Sequence, residues 1–261
     1  MKKHLSVLGL FARGSIYKVL LILALTVAFE VLLFVYNFEA ALSDYHASVG
    51  TGLESMRDLE GIIDASALPW CFAASVILTT VVLCIVGCEF SSKTGYTLRR
   101  LSIDERFTFL YQALYNTAVY AIVFCTQITV AYMLCAYYAD CAPSEFTGSQ
   151  TVFLAFYRNE FLHALLPLSD ISLWVRNACL LIGFGVCTAL FPFKQRRRGF
   201  AISVPSLVVS GLIFFRCGIG ETLGCVFYSL FALVLAAYAI YSVVNAETTD
   251  RREEFISESD R

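Results

Sequence analysis

The sequence predicts an all-α polytopic membrane protein with six transmembrane helices, both termini in the cytoplasm, and an interfacial helix at the N-terminus. Three observations lead to this fold class. Of the 261 residues, 58% are hydrophobic and 15% are charged, whereas a soluble domain typically has about 45–50% apolar and about 25% charged residues. Six apolar segments approach or exceed the roughly 20 residues that a spanning helix needs. Clusters of basic residues separate these segments in pairs, which is typical of cytoplasmic loops.

The loops between the apolar segments alternate in charge. Of the 19 Lys and Arg residues, 15 lie in four clusters, at 2–18, 93–106, 194–198 and 251–261. The intervening loops 39–67, 139–172 and 218–221 carry 11 acidic residues instead. Six spans with both ends inside place all four basic clusters on the cytoplasmic side, as the positive-inside rule requires. We therefore predict spans at about 19–38, 68–88, 118–138, 173–193, 200–217 and 222–244.

These spans form one predicted transmembrane domain over residues 1–245, followed by a charged cytoplasmic tail at 246–261. The tail lacks apolar periodicity, so we expect it to be disordered or a helical extension. Before the first span, residues 4–17 alternate apolar and polar side chains between flanking Lys and Arg. This pattern predicts a short amphipathic helix in the inner membrane interface. The alternative is a cytosolic extension of the chain.

The basic loop at 89–112 has the clearest local signals. Ser102 and Glu105 are three residues apart, the spacing of a capping box, which predicts a helix that begins near Ile103 and runs into the third span. Before it, residues 94–101 combine a glycine with short basic and apolar stretches. We expect a turn followed by a brief helix there.

The outer loop at 139–172 contains an apolar stretch, 152–166, which Arg158, Glu160 and His163 interrupt. This stretch is too short to span a membrane, so an interfacial or re-entrant helix is expected. Cys141 and Cys217 lie near the predicted outer face, where they could pair. The other eight cysteines fall in or beside apolar segments and are predicted to be lipid-buried thiols.

Polar residues inside the predicted spans are the candidates for function. A charge in the middle of a bilayer is expensive, so Glu30 should face protein or water. Thr26, Glu30 and Asn37 lie at spacings of four and seven on one helix face, and Gln127 is in the middle of the third span. These four residues could line a substrate path. The alternative is a buried polar contact between helices, with Glu30 protonated.

No constellation in the sequence predicts catalysis. The three histidines are far apart in the predicted topology, so no metal site is expected. The turn at 218–221 ends in Glu221, but it lacks the second facing carboxylate that an intramembrane aspartyl protease needs. We therefore predict no catalytic residues, no cofactor and no nucleic-acid partner.

The order of these parts resembles the membrane subunit of type-2 ABC transporters, the exporter-type permeases. The resemblance rests on the N-terminal amphipathic segment, the six spans, and residues 89–106. That stretch has an acidic residue at the span end, a Gly/Thr turn, a short apolar-basic helix and a Ser-led restart, as in the family. One difference is that the long outer segment follows the third span, whereas the family places its re-entrant helices between spans five and six.

The resemblance implies a permease subunit of the plasma membrane, acting with a separate cytoplasmic ATP-binding subunit and contacting lipid. A homodimer or a paired permease is also implied, and the substrate stays unknown. In that family the loop between spans two and three carries the coupling helix. Mapped onto this chain, the ATPase-docking residues are Thr94, Gly95, Tyr96, Leu98, Arg99, Arg100 and Leu101.

Two other hypotheses remain beside the permease. One is a non-transport membrane scaffold or assembly factor that binds a partner through its outer loops. The other is an intramembrane enzyme that uses Glu30, which ranks last because no nucleophile or metal constellation accompanies this residue.

Overall fold

The computed structural model describes residues 2–48, 56–86, 88, 105–168, 170–197, 199–214 and 222–259. Regular secondary structure in these ranges is entirely helical, which confirms the predicted all-α class. We number the helices in chain order: α1 Lys2–Ser48, α2 Leu59–Ala65, α3 Leu68–Val86, α4 Glu105–Cys141, α5 Thr151–Arg158, α6 Glu160–Leu165, α7 Ile171–Arg196, α8 Ser203–Phe214 and α9 Thr222–Ser259.

Five helical segments within the described residues are long and apolar enough to cross a membrane, so the chain has the character of a multi-pass membrane protein. They are Leu8–Ser48, Leu68–Val86, Glu105–Cys141, Ile171–Arg196 and Thr222–Ala246. Each contains or nearly matches a predicted span. The predicted fifth span, 200–217, coincides instead with the 12-residue helix α8, and residues 215–217 lie outside the described residues. The total of six spans therefore stays a prediction.

The N-terminal segment does not form the separate short helix that its amphipathic pattern predicts. Residues 4–17 belong to the same continuous helix, α1, as the first span. The buried side chain of Phe11 packs against Val86 at the end of α3. One turn further on, the Ser15 hydroxyl lies 2.6 Å from the Tyr115 hydroxyl of α4. Because these side chains find partners on the bundle, the segment packs alongside the other helices, and its predicted interfacial position is not confirmed.

Helix α4 runs from Glu105 through the predicted third span without a break. Ser102 and Ile103, where the capping box and the start of the helix were predicted, lie outside the described residues. Its first turn is held by an ion pair in which Arg197 Nη2 lies 3.1 Å from Glu105 Oε2. The same guanidinium lies over the ring of Phe193, 4.8 Å from its centroid. The start of α4 is therefore attached to the end of α7. The seven predicted ATPase-docking residues, 94–96 and 98–101, lie outside the described residues.

A helical cap, which we define as α2, α5 and α6, covers the opposite end of the bundle. The expected helix in 152–166 is two short helices, broken at Asn159. The Asn159 side chain accepts hydrogen bonds from the backbone N–H groups of Phe161 and Leu162 at 3.1 Å, which caps α6. It also donates to Asp64 Oδ1 of α2 at 3.0 Å. The cap is thus one hydrogen-bonded unit, and the sequence did not predict α2.

The C-terminal tail, 246–261, is helical as far as Ser259, because α9 continues from the last span into it. This corresponds to the helical extension among the two states expected for the tail.

Helix α7 is the central helix of the bundle, with its largest contacts to α9 and α4. Small residues allow these helices to approach closely. A Cβ placed on Gly185 would lie 2.8 Å from the backbone nitrogen and 2.9 Å from the Cα of Thr117 in α4. A Cβ on Gly183 would lie 3.2 Å from the Cβ of Ala232 in α9. The α4–α7 contact therefore requires glycine at position 185.

We expect Gly185→Ala to destabilise the protein by about 1–3 kcal/mol, because overpacking a tight contact forces backbone to move. The measurement is the thermal unfolding midpoint in detergent. Gly9→Ala is the matched control, since a Cβ on Gly9, also inside a helix, would meet nothing within 4 Å. Alanine there should be neutral or stabilising by up to about 1 kcal/mol. Equal midpoints for the two variants would contradict the close α4–α7 approach.

Candidate functional site

The structure brings two of the predicted polar residues into direct contact inside the bundle. Glu30 of α1 is fully buried, and Gln127 of α4 is 5% exposed. Gln127 Nε2 donates a hydrogen bond to Glu30 Oε2 at 3.1 Å. The two residues are 97 positions apart in the sequence, so only the packing of α1 against α4 places them together. An amide donor suits this position because a carboxylate accepts hydrogen bonds.

The two carboxyl oxygens of Glu30 differ in their hydrogen bonding. Glu30 Oε1 is buried and has no hydrogen-bond partner among the described residues. A buried polar atom without a partner costs about 1–3 kcal/mol, so natural proteins seldom retain one without a use. Glu30 therefore has an acceptor position that a hydrogen-bond donor could occupy.

Thr26 and Asn37, the other two residues of the predicted path, do not join this hydrogen-bonded pair. The Thr26 hydroxyl donates to the Ile22 carbonyl at 2.9 Å, and Asn37 Nδ2 donates to the Leu33 carbonyl at 2.8 Å. Both side chains are half-buried and return to their own helix. Their role in a substrate path stays a prediction. Thr26 also contributes to a groove on the surface of the bundle.

Thr26 lines a groove of about 330 Å³ between α1 and α3. The walls are largely apolar, and they consist of Leu25, Thr26, Phe29 and Leu33 from α1 and Ala67, Trp70, Cys71 and Ala74 from α3. Leu33 of the groove wall is three residues after Glu30, or about one helical turn along α1. Thr26 is one helical turn before Glu30. The groove wall therefore includes the turns of α1 on both sides of Glu30.

A buried polar face of α4 was not predicted from the sequence. Gln112, Asn116 and Tyr120 follow one another at spacings of four and are all buried. Asn116 Nδ2 donates to Thr188 Oγ1 of α7 at 2.9 Å, and the Tyr120 hydroxyl lies 2.7 Å from that of Thr80 in α3. The four-residue spacing is the signal that could have revealed this face. Its hydrogen bonds join α4 to both α3 and α7.

A second polar cluster joins the cap to the bundle. His163 Nε2 lies 3.5 Å from Asp170 Oδ2, and Asn177 Nδ2 donates to the Ala164 carbonyl at 2.9 Å. The buried Arg176 donates to Cys225 Sγ of α9 at 3.3 Å and to Asn177 Oδ1 at 3.4 Å. These contacts fix the cap on α7 and α9. Within the residues that the structure describes, no group of three His, Cys, Asp or Glu side chains could hold a metal ion.

The described cysteines are free thiols. Cys141 is exposed and unpaired, and Cys217, with which it could pair, lies outside the described residues. Six cysteines of the spans are buried, at 71, 84, 88, 135, 187 and 225, while Cys179 is half-buried and Cys125 is exposed. Cys125 is exposed on a helix that is long and apolar enough to cross a membrane, where it would contact lipid.

Comparison with known proteins found no matching family model, no matching curated protein and no similar solved structure.

We expect Gln127→Leu to destabilise the protein by about 1–3 kcal/mol, because it removes the hydrogen-bond donor of a buried carboxyl group. Glu30→Leu/Gln127→Leu should cost less than the sum of the two single changes, since both polar partners are then absent. Thermal unfolding of the four proteins forms the double-mutant cycle. The control pair, Glu30→Leu with Asn37→Leu, should be additive. An additive result for Glu30 with Gln127 would mean that their hydrogen bond contributes no coupling.

Proposed function

We propose that the protein is the permease subunit of an ATP-driven transporter, with Glu30 and Gln127 at its transport site. The observation that carries the proposal is the buried pair itself. Polar and ionisable residues inside a membrane are costly, and they commonly mark a substrate or ion pathway. An acceptor oxygen without a partner, next to a groove, supports binding of a ligand more than a purely structural contact.

Helix α4 offers a mechanical connection between this site and the proposed ATPase. It follows directly on the loop of the predicted docking residues, and Gln127 lies 22 residues after Glu105, or about 33 Å along a helix at roughly 1.5 Å per residue. Because α4 also contacts α1, α3 and α7, a displacement of its first turn would reach several helices. ATP-driven movement of the loop could in this way change access to Glu30.

The proposed partner is a cytoplasmic ATP-binding subunit, which supplies the hydrolysis. Two copies of this chain, or this chain and a second permease, would form the complete channel. The proposed orientation places the loop end of α4 in the cytoplasm and the helical cap outside the plasma membrane, as the distribution of basic residues indicates.

The ATPase contact can be tested by co-purification. Arg99→Glu with Arg100→Glu should reduce capture of an ATP-binding subunit at least about tenfold, because a charge reversal replaces attraction by repulsion at the docking surface. Arg251→Glu with Arg252→Glu is the matched control, since it reverses two basic residues in a different predicted cytoplasmic cluster. Wild-type protein that captures no ATP-binding subunit, under conditions that preserve known permease–ATPase pairs, would refute the permease proposal.

The orientation can be tested by cysteine labelling in intact cells. In a Cys217→Ser background, a membrane-impermeant maleimide should label Cys141, because this exposed thiol ends α4 beside the cap. Cys125, which is exposed on the same helix but within the span, should stay unlabelled because a thiol in hydrocarbon is out of reach of the reagent. Cys141→Ser should remove the signal. Labelling of Cys141 only after the cells are opened would reverse the proposed orientation.

The helical cap favours one other candidate function, a non-transport scaffold or assembly factor. A folded unit of three helices at the proposed outer end could present a surface to a partner protein. The two candidates differ in one respect, because a scaffold needs neither an ATPase nor the carboxyl group of Glu30. Loss of transport in Glu30→Gln, with assembly intact, would favour the permease.

A further inference from the structure

We propose that Glu30 and the adjoining α1–α3 groove bind a hydrophobic amine, that is, an amphiphile with a protonated, hydrogen-bond-donating headgroup and an apolar body. The inference rests on the proposed function, since it names the class of substrate that the permease would accept. Three features carry it: the free acceptor on Glu30, the apolar groove beside it, and the aromatic residues on the groove walls.

The carboxyl group of Glu30 determines the kind of headgroup that the ligand must have. Gln127 already donates to Oε2, and the remaining oxygen, Oε1, is buried without a partner among the described residues. An ammonium group supplies a hydrogen bond and a compensating positive charge together, which makes a charge-assisted bond about twice as strong as a neutral one. An anion would be repelled by the carboxylate. Since the described residues hold no group of metal-ligating side chains, an organic cation suits the site better than a metal ion.

The body of the ligand is determined by the groove. Its volume of about 330 Å³ is at the lower end of the roughly 300–1,000 Å³ typical of small-molecule sites. Leu25, Phe29 and Trp70 are each more than half exposed in the isolated chain, so these walls face the lipid when the protein is in a membrane. A hydrophobic ligand could therefore enter laterally from the bilayer. The rings of Phe29 and Trp70 also suit the approach of a cation.

Glu30 is next to the groove wall along α1. Thr26 and Leu33 line the groove about one turn before and one turn after Glu30. Because Glu30 is fully buried, the carboxyl group meets the headgroup only after a local movement, such as a slight separation of α1 from α3. The closed state thus keeps the carboxyl group out of contact with the lipid.

Binding can be measured on the purified protein in lipid nanodiscs with decylamine as the probe. Trp70 and Trp174 are the two tryptophans of the chain, so Trp174→Phe leaves Trp70 as a fluorescent reporter in the groove. Decylamine should change the fluorescence of Trp70 saturably. Decanol and decanoic acid, which have the same chain without the positive charge, should bind at least about tenfold more weakly, which corresponds to about 1.4 kcal/mol.

Variants then separate the two parts of the site. In the Trp174→Phe background, Glu30→Gln should weaken decylamine binding at least about tenfold and leave decanol unchanged. Glu39→Gln, an exposed carboxylate nine residues further along α1, should alter neither. Ala74→Phe should weaken both ligands, because it fills the groove from its exposed wall. Since Ala74 is on the surface, this variant tests the groove even if a change at Glu30 impairs folding.

The inference is overturned if decylamine binds no more tightly than decanol, if Glu30→Gln binds it as the parent protein does, or if Ala74→Phe has no effect. Its failure can be distinguished from that of the permease proposal. Decylamine binding without capture of an ATPase would refute the ATP-driven permease but retain the amine site. Capture of an ATPase without decylamine binding would retain the permease and reject the amine.

Discussion

The structure depends on one constraint, which is that polar groups inside a hydrocarbon layer must find their partners within the protein. Helices satisfy this requirement for the backbone. Even exposed side chains in the span obey it, since Thr126 and Thr129 donate to the carbonyls of Ile122 and Cys125, four residues before them. Buried side chains satisfy it across helices, as in the contacts of Asn116 and Tyr120 with α7 and α3. Against this background, the free oxygen of Glu30 is a departure, as is Thr79 Oγ1 of α3. The position of Glu30 next to the groove wall is what suggests a ligand.

The hydrophobic effect contributes little to helix association in a membrane, because lipid tails are as apolar as the side chains that they would leave. The bundle therefore depends on close packing around α7 as well as on polar contacts between helices. Gly185 allows the backbone of Thr117 to approach closely. Nearby, the Thr188 hydroxyl accepts a hydrogen bond from Asn116 and donates one to the Phe184 carbonyl. A close backbone approach and a buried interhelical hydrogen bond are therefore at the same level of the α4–α7 interface. Helix α4 is therefore packed closely against α7. Helices α1 and α3, by contrast, leave the groove open between them.

The site and the two ends of the bundle have different physical characters. The end with Glu105 and Arg197 is joined by charge, and the cap by hydrogen bonds at Asn159 and Asn177. Between them, hydrogen bonds within the bundle include the Glu30–Gln127 pair. A movement that begins at the first turn of α4 would pass along the same helix that carries Gln127. The proposed transport of a hydrophobic amine would use this arrangement, because such a ligand needs a charge partner inside the membrane and an apolar route to it.

The helical class and the positions of most apolar spans could be predicted from the sequence, because both depend on local composition and spacing. The outer segment 152–166 was predicted as one helix, and its division at Asn159 was not. The sequence also identified Glu30 and Gln127 as unusual, since polar residues are rare in spans. It could not determine that they pair, that Thr26 and Asn37 return to their own helix, or that residues 4–17 continue α1 and pack on Val86 and Tyr115. The groove between α1 and α3 could not be predicted from the sequence either. These points required the folded structure. Each depends on contacts between side chains that are distant in the sequence, or on which hydrogen-bond partner the packing brings within reach.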